Sequence, residues 1–273
     1  MSTKKDKQYK KHTGKIRVKK NKFIKLNNRT YKYNLYKKYI DMNTTKYTEK
    51  LSEPWFSLIL LGLKTIEGRK NKGRFAEMQV GDIIEWINND FNPRSISTII
   101  TKKVEYKTFK EYLEIEGLNK CLPGINNIED GLSVYFKYFT KEDETKYGVM
   151  AIGIQIVHTI DIQNPKECPT FDYIESNVKT VEGRKYAPKY HNLKINDMIK
   201  FVCGDKILMK TIKAIRLYKT LEDYLNIEGF KKVLPCVDTF EKALKLYNTW
   251  SNSKDRNKLM DKYGYGFMAI ELK

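Results

Sequence analysis

The sequence predicts an α+β protein: two tandem domains, each a small, curved, mixed sheet with helices packed at its edge, behind a basic N-terminal arm. Three observations predict it. First, three blocks occur twice in the same order. Lys64-Thr65-Ile66-Glu67-Gly68-Arg69-Lys70 returns as Lys179-Thr180-Val181-Glu182-Gly183-Arg184-Lys185, Tyr106–Pro123 returns as Tyr218–Pro235, and Tyr147–Ile152 returns as Tyr265–Ile270. The offsets of 115, 112 and 118 residues are too long for a solenoid unit and suit a whole small domain. Second, each half mixes β-branched or near-continuous apolar runs with short segments of helical spacing. Third, the charge is unevenly placed. Residues 1–50 hold 17 Lys and Arg against 3 Asp and Glu, whereas residues 51–273 hold 35 against 30.

In chain order, Pro54 to Gly62 reads as a short helix, with Pro in its first turn and Gly at its end. Thr65 to Lys70 is a strand, and Asn71 to Arg74 a turn. Val80-Gly81-Asp82 turns into a strand, Ile83 to Ile87, and Ser95 to Tyr106 is a longer one. Thr108 caps a helix from Phe109 to Ile115, with Glu111 placed for a capping box and Gly117 as the stop. A second helix spans Ile128 to Phe139. Tyr147 to Val157 is a closing strand, whose unbroken apolar run predicts burial on both faces. The second half repeats this order: helix 170–177, strands 179–185, 198–203 and 207–218, helices 221–227 and 240–250, and strand 265–272. The expected divisions are a partly disordered arm at 1–50, a domain at 51–157, a linker or joining strand at 158–168 and a more divergent domain at 169–273.

Domains of this size bury a core without metal or disulfides. Cys121, Cys168, Cys203 and Cys236 lack the close spacing of a zinc site, and His12, His158 and His191 form no triad or ligand pattern. The thiols are therefore expected to be reduced, with no metal and no cofactor. The N-terminus lacks the apolar run of a signal peptide, and no segment approaches the length of a membrane span. The expected location is intracellular, cytoplasmic or nuclear. The abundance of Lys, Asn, Ile and Tyr suggests an AT-rich genome, a large DNA virus or an AT-rich microbe; a virion location follows if the source is viral. A basic arm with few acids reads as a binder of polyanions, or as a solubilising tail. Its aromatics, Phe23, Tyr31, Tyr33, Tyr36 and Tyr39 among them, suit stacking on unpaired bases or docking onto the domains.

Gly62-x-Lys64-Thr65-x-Glu67-x-Arg69 after a helix, then Val80-Gly81-Asp82 opening a strand, resembles the ASCH domain, a branch of the PUA-like fold, and implies two tandem PUA-like small mixed β-barrels with flanking helices. The resemblance covers residues 53–157 well. The second copy keeps Lys179, Thr180, Glu182, Gly183 and Arg184 but has Asn196-Asp197 for Gly81-Asp82. The resemblance implies a nucleic-acid-related role, RNA binding or nucleotide chemistry, with this strand lining a cleft beside the first helix. It places Lys64, Glu67 and Arg69 in one cleft, and Lys179, Glu182 and Arg184 in another. Some relatives are amidohydrolases with Lys-Thr-x-Thr-x-Arg here. Glu67 and Glu182 stand where the second Thr would be, so that nucleophile is absent.

On a strand, Thr65, Glu67 and Arg69 share one face. An Arg held by a Glu presents its guanidinium fork to phosphate or a base edge, and the Glu can accept from an exocyclic amine. The alternative is a structural ion pair. Gly68 permits close approach of a ligand or backbone. Trp55 is a stacking surface or a core residue. Lys72 and Arg74 stand to meet phosphate, with Lys185, Lys189 and His191 as counterparts. Tyr147 and Tyr265 are expected to open the last strands, as stacking or core rings. If the chain is an enzyme, Lys64 and Glu67 would carry acid–base work after burial had moved the Lys pKa. The expected partner is RNA or single-stranded nucleic acid. The rivals are a nucleotide-modifying or hydrolysing enzyme and a basic structural or genome-packaging protein.

Overall fold

Nine strands pair into one sheet in a computed structural model that describes residues 44–273. The strands are β1 (Lys46–Lys50), β2 (Ile66–Lys70), β3 (Ile83–Asn88), β4 (Arg94–Tyr106), β5 (Val149–Asp161), β6 (Val181–Lys185), β7 (Met198–Cys203), β8 (Lys206–Tyr218) and β9 (Phe267–Leu272). Their order is β1-β3-β4-β5-β7-β8-β9-β6, with β2 added on β5. The predicted mixture of sheet and helix is what the chain adopts.

The pairing explains why the sequence recurs. In the first half β3–β4, β4–β5 and β2–β5 are antiparallel, and β4 slips register between Ile100 and Lys102. In the second half β7–β8, β8–β9 and β6–β9 are antiparallel, with the matching slip between Ile212 and Ala214. β1 runs parallel to β3, and the end of β5, Val157–Asp161, runs parallel to β7. One long strand thus closes the first half and opens the second. Residues 158–161 are therefore strand, in keeping with the joining strand expected as the alternative to a linker. Lys46–Lys50, assigned by sequence to the arm, are likewise in the sheet; residues 1–43 lie outside the described residues.

β5 is buried on both faces, as its apolar run predicts. Met150, Ile152 and Ile154 enter one core with Phe56, Ile59 and Trp86. Val149 and Ala151 enter another with Phe109, Tyr112, Leu113 and Tyr135. β9 repeats this alternation between two further cores. Trp86 is buried with its indole N–H satisfied by Thr98 Oγ1 at 2.9 Å.

Several expectations need correction. Tyr147 does not open β5; it ends a helix, Lys141–Tyr147, and Gly148 turns the chain with φ +66°. That helix, and Ser253–Tyr263 in the second half, are mostly polar and lack the apolar periodicity that marks a helix in sequence. Their caps carry the missed signal: Thr140 and Asp143 form a full capping box, and the Asn252 side chain accepts from Lys254 N. A short helix, Arg74–Glu77, follows the predicted turn at 71–74, and the helix expected to reach Phe139 ends at Tyr135. The Thr108 hydroxyl does cap its helix by accepting from Glu111 N, while the Glu111 carboxylate reaches Lys107 N, one residue before the cap. The expectation of four reduced thiols fails for one pair. Cys168 and Cys236 form a disulfide across 68 residues, whereas Cys121 and Cys203 are free. Spacing in sequence hid this, because folding brings the two Cα atoms to 5.2 Å.

Candidate functional site

The helix Trp55–Leu60 ends at Gly62, whose φ of +75° reverses the chain. The N–H groups of Leu63 and Lys64 return to Leu58 O. This tight exit folds Lys64 inward rather than along the alternation of β2. Its ammonium lies 3.0 Å from Glu67 Oε2, donates to Ile66 O at 3.0 Å, and also donates to Cys121 O. All three N–H bonds therefore have acceptors. Glu67 Oε1 accepts from Arg69 Nε at 2.7 Å. Lys64 and Glu67 are 3% and 5% exposed, so this is a buried pair with one half-buried partner. Burial opposes the charge on Glu67, yet Lys64 and Arg69 outweigh it and hold the carboxyl below its ordinary range.

The second half builds the same triad. Lys179 Nζ is 3.3 Å from Glu182 Oε2 and donates to Val233 O, and Arg184 Nη2 is 2.8 Å from Glu182 Oε1. Burial lowers the Lys179 pKa against the pull of Glu182. The Arg184 pKa is raised despite burial, because Glu182 and Tyr190 favour its charge.

The arginines differ in their surroundings. Arg69 lies over Phe75 at 5.1 Å and Trp86 at 5.6 Å, with its Nε committed to Glu67. Neither ring was picked out from sequence; their place beneath Arg69 follows from β3 and the helix Arg74–Glu77. Arg184 instead uses Nη2 for Glu182 and for Asp161 O at 3.2 Å.

β2 separates its two faces sharply. Glu67 and Arg69 face the Trp86 core. Gly68 faces the tyrosines: an added Cβ would lie 2.8 Å from Tyr135 Oη and 2.9 Å from Tyr112 Cε1. The close approach that Gly68 permits is thus by side chains of the second core, not by a ligand or backbone. Gly183 has the same role against Tyr224 and Phe267. Trp55 is half-buried, packs against both cores of the first half, and has Lys64 Nζ 5.6 Å from its ring.

At the exit of β2, Lys72 and Arg74 are both exposed. Lys72 Nζ sits 4.7 Å from the Tyr147 ring, with Lys146 Nζ at 5.2 Å. Hydrogen bonds from these lysines lower the Tyr147 pKa. Arg74 pairs with Glu49 of β1 at 3.0 Å. The Asp82 carboxylate fastens the turn into β3, accepting from Gln79 N at 2.7 Å and Thr45 N at 3.0 Å. Asp197 does the same for Lys194 N at 3.1 Å and binds His158 Nε2 at 2.8 Å. Gly81 has φ +101° and Asn196 φ +74°, so the substitution keeps a residue that tolerates the left-handed region.

Among the described residues no group of three or more His, Cys, Asp or Glu side chains is placed to hold a metal ion. No described helix is long and apolar enough to cross a membrane.

A helix turning into a Lys-Thr-x-Glu-x-Arg strand, within a mixed sheet flanked by helices, fits a PUA-like domain. Residues 50–158 of the chain match the ASCH domain. Two solved structures are similar to part of the chain. One is the crystal structure of the hypothetical protein PH0355, 36% identical, covering 41% of this chain and 99% of its own, with a TM-score of 0.38. The other is the solution structure of protein PF0455 from Pyrococcus furiosus, 34% identical, covering 41% of this chain and 97% of its own, with a TM-score of 0.36. No curated protein matches the chain. The family is associated with binding of RNA and other nucleic acids.

Proposed function

We propose that this chain binds RNA or single-stranded nucleic acid, through a basic N-terminal segment joined to two ASCH-type units. The observation that carries the reading is the placement of charge. The segment of residues 1–50, with 17 Lys and Arg against 3 Asp and Glu, leads directly into an ASCH domain at 50–158. Such a segment supplies salt-sensitive affinity without sequence preference. The second unit is supported by the recurring strand pairing, the matching register slips and the second Lys–Glu–Arg triad. We place the units at 44–157 and 158–273, because β1 belongs to the first sheet and residues 158–161 to the second.

Within each triad the roles divide. Arg69 and Arg184, each with a side chain 22% exposed, are the members able to meet a ligand. Glu67 and Glu182 position them, and Lys64 and Lys179 neutralise the buried carboxylates. Lys72, Arg74 and Tyr147 extend the first contact surface. An ammonium committed to three acceptors favours this binding role for Lys64 over acid–base work.

The test is binding of labelled single-stranded RNA, single-stranded DNA and duplex DNA at two salt concentrations. The full chain is compared with a full-length variant whose Lys and Arg in residues 1–43 are replaced by Gln. The expected result is preference for the single strands, with a shallower salt slope in the variant. Each lost phosphate contact should flatten it by about 0.7 in log–log units. Absence of binding to all three nucleic acids would overturn the proposal.

A further inference from the structure

The second half carries a group of rings with no counterpart among the described residues of the first half. Tyr186 and His191 stack with centroids 4.2 Å apart and planes 28° from parallel. Tyr263 stands edge-on to both, at 6.2 Å from Tyr186 and 4.8 Å from His191. Tyr265 stands edge-on to Tyr186 at 5.9 Å. Two separate segments build the group: the stretch after β6, and the junction between the helix Ser253–Tyr263 and β9. Tyr186 is half-buried and anchored on the core of the second half, whereas Tyr265 is 38% exposed.

By the offsets of the repeated blocks, Tyr186 replaces Asn71 and Tyr263 replaces Thr145, while Tyr265 matches Tyr147. In the first half Tyr147 lies between two lysines here, with Asn71 and Thr145 in place of the two added tyrosines. Core packing accounts for Tyr186 but not for rings extending outward from it.

Cations border the group, with the exposed Asp261 beside Lys262 in the chain. Lys262 Nζ lies 5.2 Å from the Tyr263 ring and Lys189 Nζ 4.8 Å from the Tyr190 ring, and both lysines are exposed. Lys185 is paired with Asp255 at 3.1 Å, which neutralises that acid. Partly exposed rings beside exposed ammonium groups match one ligand chemistry: an unpaired nucleobase carrying its phosphate. We infer that Tyr186, His191, Tyr263 and Tyr265 form a base-stacking platform for a single strand, with Lys189 and Lys262 meeting the adjoining phosphates. This rests on the nucleic-acid reading above and adds a site distinct from the two triads.

The test compares two oligomers of about a dozen units, within the usual span of a single-strand site. One is oligouridylate and the other an abasic ribose-phosphate chain of equal charge. The full-length protein should prefer the uridylate by about 5- to 150-fold, the range set by stacking of one base. The double variant Tyr263→Ala, Tyr265→Ala should lose that preference while keeping its affinity for the abasic chain. The double variant Tyr263→Phe, Tyr265→Phe should retain it. His191 ring-proton resonances should shift with the uridylate and not with the abasic chain. If the preference survives the Ala changes in a folded protein, or the His191 resonances do not respond, the platform is overturned and nucleic-acid binding stands. If neither oligomer binds, both proposals fall.

Discussion

Replacing Glu67 by Gln tests whether the triad is a positioning device or a directly read surface. The carboxylate accepts from Arg69 Nε at 2.7 Å and meets Lys64 Nζ at 3.0 Å. Gln keeps the volume but loses the charge, and its amide cannot accept on both sides. Removing one partner of a buried ion pair costs about 3–5 kcal/mol. The low end applies here for two reasons. Lys64 keeps its bonds to Ile66 O and Cys121 O, and the Arg69 side chain, 22% exposed, can recruit water. A loss of about 3 kcal/mol corresponds to a melting temperature lower by about 6–12 °C for a protein of this size. Urea and thermal denaturation of the full chain measure it. Lys64→Met combined with Glu67→Leu should recover much of the loss, because apolar replacement of both partners removes the stranded charge. Single-strand affinity of E67Q, corrected for folded fraction, should fall only as far as Arg69 becomes mobile. A stability loss below about 1 kcal/mol together with a changed ligand preference would refute the assignment, and Glu67 would then be a ligand contact.

Reduction of Cys168–Cys236, or Cys236→Ser, releases a loop of 68 residues and should cost about 4 kcal/mol by the chain-entropy model. An unchanged urea midpoint with and without reductant would refute that. Gly68→Ala forces a Cβ to within 2.8 Å of Tyr135 Oη and should cost about 1–3 kcal/mol, with partial rescue by Tyr135→Phe; equal stability of the two proteins would show that the tyrosines yield. Glu67, Glu228 and Glu271 all have carboxyl pKa values held below the ordinary range: for Glu67 and Glu228, against burial, by their cationic partners and, at Glu228, also by Tyr218; for Glu271 by hydrogen bonds from Lys213 and Arg216. Their stabilisation is complete above the unfolded value of about 4.3 and disappears as pH falls through the lower folded values. Denaturation midpoints should therefore be flat from neutral pH down to about 5 and drop below about 4. A midpoint that holds to pH 3 would contradict the pairing.

Much of the fold is legible in the residues themselves. The strand Met198–Cys203 and the helix Phe240–Trp250 have the predicted bounds, because each shows a clear period and a clear stop. The Thr108 cap is likewise visible as local chemistry. The polar helix Lys141–Tyr147 leaves no periodic mark, since a helix held by caps and charge carries no apolar stripe. The strand role of Lys46–Lys50 was hidden too. A parallel partner 37 residues onward leaves no local mark.

The candidate site divides along the same line. Alternation correctly puts Glu67 and Arg69 on one face of β2, and repetition correctly marks the Lys–Glu–Arg element as recurring. By itself the sequence determined the local elements, the internal repetition and the concentration of cationic charge near the N-terminus, since these depend on near neighbours and counting. Only the tertiary structure decided that Lys64 turns inward to the Cys121 carbonyl, that Gly68 meets tyrosine rings, that Cys168 reaches Cys236, and that Tyr186 and Tyr263 share a surface. Each joins segments far apart in the chain, and burial, contact and charge pairing are set by distances in space that spacing along a sequence does not encode.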